Sequence, residues 1–136
     1  MNLELTKLFG APFVRGGRDV KTGLDCQGLF LEAMKSFGHE VENTDTAEYA
    51  TEVVAGLIAK AAVSEKWVKI EVPEEGCAVA IALDSLALDK TDHLGVYIGE
   101  NKFIHMLEKR GVVTNRIDDP FFKNKIRGFY RFVGGV

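Results

Sequence analysis

Helix-periodic segments fill the first half of this chain and short strand-like runs fill the second, and that segregation restricts the fold more than any other feature. Met1 to Phe9 carries Leu3, Leu5 and Leu8 at amphipathic spacing and stops at Gly10. From Cys26 to about Ser36 the pattern is helical again. Cys26, Phe30, Ala33 and Phe37 share one stripe, and Gly38 is the expected C-terminal stop. Thr46 to about Ser64 is alanine-rich, with Val53, Val54, Leu57, Ile58 and Ala61 at helical spacing. Trp67 to Val72 then alternates, as a half-buried strand does. Pro73 to Gly76 is a turn, and Cys77 to Leu83 is an apolar run short enough for a buried strand. His93 to Ile98 and Phe103 to Leu107 form a hairpin. Val112 to Asn115 follows a further turn. Asp118 to Lys123 is expected to start a short helix, with Asp as cap and Pro120 in its first turn. Arg127 to Phe132 is the last strand. Helices first and hairpin-linked strands second imply an α+β fold with an antiparallel sheet. At 136 residues, without repeats or a linker, residues 1–136 are expected to form one domain.

Composition removes several classes of function. The formal net charge is −3, and the densest basic stretch, Lys123 to Arg127, is offset by Asp118 and Asp119, which argues against nucleic acid as a partner. No apolar run approaches the roughly 20 residues of a membrane span. Met1 to Leu5 shows neither a basic segment nor an apolar one of the secretory kind, so cytoplasmic synthesis is expected. Cys26 and Cys77 lack metal-site spacing and are expected to be free thiols of different character. No metal and no cofactor is expected.

The chemistry concentrates in Gly23-Leu24-Asp25-Cys26-Gln27-Gly28-Leu29-Phe30. Asp25 is an N-cap type, so Cys26 is expected in the first turn of its helix. Unpaired N–H groups and the helix dipole there favour a thiolate. A base is needed, and the chain has three histidines. His39 lies in a polar loop and is expected to face solvent. His93 and His105 occupy the two arms of one hairpin. A three-residue loop at Gly99 to Asn101 sets Gly95 opposite His105, with His93 on the diagonal of the same face, about 7–8 Å away between Cα atoms. A two-residue turn at Glu100-Asn101 separates the histidines onto opposite faces unless a bulge intervenes. The loop or the bulge is therefore expected. A cysteine at a helix start, a histidine on a strand and a polar group on the next strand together form the layout of a thiol hydrolase.

These segments resemble the NlpC/P60 family of papain-like cysteine peptidases. Pro12 to Gly17 is similar to that family's aromatic approach ending in Gly-Gly. Asp25-Cys26-Gln27-Gly28 is similar to its nucleophile motif, His93 to Gly99 to its base strand, and Phe103-Ile104-His105 to the strand bearing a third polar residue. Asp118 to Phe122 is similar to its Pro-aromatic segment. The resemblance implies a papain-like fold, with N-terminal helices packed on an antiparallel sheet. It implies Cys26 as nucleophile, His93 as base and His105 as the orienting residue, acting on amide bonds of peptidoglycan stem peptides. Phe13, Arg15 and Asp25 are the expected substrate-side residues. Phe13 stands where the family often has a tyrosine hydroxyl, so oxyanion stabilisation falls to backbone N–H groups, including that of Cys26. Delivery by a phage tail or a secretion machine, with their proteins as partners, is the route expected of a wall hydrolase lacking a signal. The alternatives are a catalytically silent structural module, and an amidase or acyltransferase acting on a substrate outside the wall.

Overall fold

The computed structural model describes residues 3–42, 58–60, 62–84 and 91–134. Helix α1 spans Leu3–Thr6, strands β1 and β2 span Arg18–Asp19 and Gly23–Leu24, and helix α2 spans Cys26–Ser36. Strands β3 (Trp67–Ile70), β4 (Ala78–Ile81), β5 (His93–Gly99), β6 (Lys102–Leu107), β7 (Gly111–Arg116) and β8 (Ile126–Phe132) follow. They form one six-stranded antiparallel sheet in the order β3-β8-β4-β5-β6-β7. The fold is α+β and papain-like. Most of the helix expected over Thr46 to Ser64 lies outside the described residues; of its described part, residues 58–60 and 62 are helical.

The central strands of the sheet are buried on both faces. Ala78, Val96, Ile104, Met106 and Phe132 join Leu5, Leu8, Leu29, Phe30, Ala33 and Met34 in a core between sheet and helices. Cys77, Val79, Ile81, Tyr97, Phe103 and Phe122 form a second core on the opposite face. Two-faced burial explains why the β4 segment reads as an unbroken apolar run rather than an alternating one. Cys77 is 1% exposed, and both cysteines are free.

Helix α2 is closed at both ends by its own sequence. The Asp25 carboxylate accepts from Gly28 N at 2.7 Å, which satisfies one of the unpaired first-turn donors. At the other end Gly38 adopts a positive φ, and the N–H groups of Gly38 and His39 bond the carbonyls of Lys35 and Met34 at 2.9 and 3.0 Å. That is the Schellman pattern expected of a glycine stop. The buried face of α2 lies across β5 and β6.

Four local expectations are corrected. Helix α1 ends at Thr6, and three-residue turns carry the chain on as Leu8 N bonds Leu5 O and Ala11 N bonds Leu8 O. The segment read as a polar loop over Asp19 to Gly23 joins β1 to β2, a short hairpin. Asp118 to Lys123 does not begin a helix. Asp119 Oδ1 does cap the Phe121 N–H at 2.8 Å, but the next bonds close turns onto Asp119 and Phe122, and β8 starts at Ile126. Burial of Phe122 in the second core holds the segment in this tight turn. His39 is half-buried, its ring edge-on to Phe132 at 5.9 Å between centroids.

Candidate active site

The β5–β6 hairpin decides whether the two histidines can meet. Glu100 and Asn101 form a two-residue turn at φ 54° and 61°, the left-handed pair that suits tight hairpins. Gly99 pairs with Lys102, the register then shifts, and Tyr97 pairs with Phe103 and Val96 with Ile104. The bulge at Ile98 is the second of the two solutions the sequence allowed, and it restores the register that sets Gly95 opposite His105. A side chain at Gly95 would meet Phe103 Cδ2 at 2.8 Å and Ile104 O at 3.0 Å, so glycine gives the ring of Phe103 its place beside His105.

The result is a polar chain across three strands. His93 Nε2 lies 2.9 Å from His105 Nδ1, and His105 Nε2 lies 2.8 Å from Asn115 Oδ1. His93 is 5% exposed and His105 fully buried, the latter packed between Phe103 and Phe122 at 4.7 and 5.2 Å between centroids. Asp92 anchors the entry to β5, its carboxylate accepting from Leu83 N at 2.7 Å and Asp84 N at 3.2 Å. Asn115, on edge strand β7, has no counterpart among the residues the sequence singled out. Its one signal was parity: it shares a strand face with Val113, which pairs with His105.

Cys26 begins α2, and its Sγ donates to Met106 O at 3.2 Å, one residue beyond His105. The thiol bonds that carbonyl and neither imidazole. The β5–β6 pairing runs from Gly99 through Tyr97 and stops at Val96, while β4 pairs with β5 from Val96 back to His93 and β7 pairs with β6 on to Leu107. The helix start thus meets the sheet where the ladder between the two histidine strands has ended.

The approach segment is locked to this helix start. Val14 N bonds Leu24 O at 3.0 Å, Leu24 N bonds Pro12 O at 2.9 Å, and Asp25 N bonds Gly17 O at 3.2 Å. A Cβ on Gly28 would lie 2.2 Å from Gly17 O, so the glycine of the nucleophile motif is required by the backbone resting on it. Asp25 is 2% exposed. Besides capping α2 it accepts from Arg18 Nη1 at 2.7 Å and from Gly16 N at 3.2 Å, which pins the Gly-Gly loop. Arg18 is a second residue the sequence did not single out. Of the expected substrate-side residues, Arg15 is exposed, Phe13 is half-buried against the helical core, and Asp25 lies beneath the surface.

Electrostatics reverse one expectation. The helix start was expected to favour a thiolate, but the Cys26 thiol is pushed up to about 12, chiefly by burial and then by the Asp25 and Glu108 carboxylates. Desolvation outweighs the dipole, and the cap that shapes the helix adds a negative charge beside the sulfur. His93 is pushed down to about 3 by burial and by His105 beside it. Burial also lowers His105, against a raising effect of the Asn115 bond. Thiol and imidazoles therefore rest uncharged near neutral pH.

Residues 10–131 match the model of the NlpC/P60 family. The chain is 21% identical over 132 residues to the gamma-DL-glutamyl hydrolase of Bacillus subtilis (strain 168), a match covering 95% of this chain and 28% of that protein. An NlpC/P60 family protein from Bacillus cereus ATCC 10987 superposes with a TM-score of 0.63 at 20% identity, over 95% of this chain and 39% of the other. The NlpC/p60 domain of the peptidoglycan hydrolase SagA gives 0.60 at 15% identity, over 95% and 93%. NlpC2 from Trichomonas vaginalis gives 0.64 at 17%, over 94% and 44%. These structural likenesses bear on the fold.

Proposed function

The chain belongs to the NlpC/P60 family, and on that premise we propose that it is a cysteine peptidase hydrolysing amide bonds in peptidoglycan stem peptides. Cys26 is the nucleophile, His93 the base and then the acid, and His105 the residue that orients His93. The observation that carries this reading is the hydrogen-bonded pair His93–His105, together with a cysteine at a helix start whose Sγ bonds the carbonyl of the residue after His105. Names of relatives support the substrate class: one is a gamma-DL-glutamyl hydrolase and another a peptidoglycan hydrolase.

Because thiol and imidazole rest neutral, no thiolate–imidazolium pair stands ready. The S–H bond turns from the Met106 carbonyl to His93, and the proton leaves as sulfur attacks the scissile carbonyl. Negative charge then develops on the carbonyl oxygen. The Cys26 N–H, in the first turn of α2, has no helix carbonyl to bond, and in this reading it is the donor that receives that charge. Protonated His93 gives its proton to the departing amine, leaving a thioester on Cys26. Water, deprotonated by His93, releases the acyl group and regenerates the thiol.

A catalytically silent structural module is the second reading, favoured by the high thiol pKa and by Phe13, which offers no hydroxyl. Release of new amino groups from peptidoglycan fragments separates the two. Hydrolysis that disappears in Cys26→Ala supports the peptidase. Undiminished hydrolysis in that variant rejects Cys26 as nucleophile, and folded wild-type protein that releases nothing favours the silent module.

A further inference from the structure

We infer that Asn115 is a positioning residue that sets the direction of the hydrogen-bond chain running from His93 through His105 to Asn115, an inference that rests on the peptidase reading above. Hydrogen-bond polarity fixes the tautomers. A carboxamide oxygen only accepts, so His105 Nε2, 2.8 Å from Asn115 Oδ1, must carry a proton. Neutral His105 then has a bare Nδ1. His93 Nε2, 2.9 Å from that nitrogen, must in turn be the donor. The remaining nitrogen, His93 Nδ1, is left with its lone pair, and no hydrogen bond among the described residues occupies it. One amide thus makes His93 a base.

Reversing the amide would reverse everything downstream. With its NH₂ group toward His105, Asn115 would make Nε2 of His105 an acceptor and Nδ1 a donor. His93 Nε2 would then accept, and its proton would sit on Nδ1, the nitrogen needed as base. Burial keeps both rings neutral, so tautomer and not charge is what the network sets. Asn115 does this from the edge strand. It pairs with Phe103 and sits diagonally across from His105 on the same face, where Val113 is directly opposite. The Phe103 and Phe122 rings pack the His105 imidazole, so its plane is held and the amide selects its tautomer.

The test uses ¹⁵N NMR of the histidine side chains in the folded protein without substrate, together with hydrolysis kinetics. Wild type is expected to show both His93 and His105 as the Nε2–H tautomer near neutral pH. Asn115→Leu should lose the single tautomer at both rings. Its kcat should fall roughly 10- to 100-fold with KM little changed, the size expected when a group orienting a working histidine is removed. Asn115→Asp keeps an acceptor at the same place, so it should restore the tautomers. It should also move the acid limb of the pH profile to higher pH, because a carboxylate favours protonated His105. An Nδ1–H tautomer at His93 in wild type, or unchanged tautomers in Asn115→Leu, overturns the inference. Tautomers are read without turnover, so Cys26→Ala that still hydrolyses would reject the peptidase assignment and leave this result standing.

Discussion

Acid should destabilise this protein through its two buried histidines, His93 and His105, before most carboxylates titrate. His93 has an ordinary value of 6.5 and is held at about 3 in the fold. Between those limits the unfolded chain binds a proton that the folded chain refuses, so stability falls as pH drops below 6.5 and the loss levels off near 3. From pH 7 to pH 5 the His93 contribution alone is about 2 kcal/mol, at about 1.4 kcal/mol per unit. His105 is shifted in the same direction and adds to the loss. Urea unfolding at the two pH values gives the total, and His93→Gln isolates the part due to His93, because glutamine can still donate to His105 Nδ1. The variant should lose about 2 kcal/mol less than wild type over this interval. Equal losses in the two proteins would refute the claim that His93 is buried in its neutral form.

Further expectations follow from the same contacts. Iodoacetamide should label Cys26 slowly at pH 7, with a rate rising about tenfold per pH unit well past pH 9, because burial holds the thiol near 12; fast labelling at pH 7 would mean a preformed thiolate. Gly28→Ala should cost roughly 2 kcal/mol or more in thermal or chemical unfolding, since its Cβ would lie 2.2 Å from a backbone oxygen, and a neutral result would show that the approach loop is not seated on α2. Asp25→Ala should cost about 1–2 kcal/mol for the lost cap alone, with a larger loss of hydrolysis as Arg18 and the Gly-Gly loop are released. Phe13→Tyr should raise kcat if the missing hydroxyl limits the oxyanion site, by at most the ~10²–10³-fold that one such donor contributes; no gain would leave the backbone N–H groups as sufficient.

The parts of this structure that could be read from the chain are those set by local chemistry. Asp25 and Gly38 announce the two ends of α2 because capping depends on a few adjacent residues. Alternation and turn residues announce β5 and β6, and the requirement that two histidines share a face was enough to demand either a three-residue loop or a bulge, of which the hairpin has the bulge. What stayed hidden depends on contacts distant in sequence. Asn115 looks like any polar residue of an edge strand until β7 pairs with β6. Arg18 looks like a loop cation until the approach segment folds back on Asp25. The thiol pKa was misjudged for the same reason: the dipole of α2 is a local property, whereas the burial that overrides it comes from the sheet beneath. The turn at Phe122 replaces a helix because a packed aromatic ring, not propensity, decides that segment.

The covalent intermediate that the peptidase proposal requires offers the most direct measurement. Protein mixed with a peptidoglycan stem peptide and quenched in acid within the first turnovers should gain the mass of the acyl fragment. Digestion should place that mass on the peptide containing Cys26, and Cys26→Ala should show none. Hydrolysis that proceeds without any adduct on Cys26, or with one on Cys77, would contradict the account.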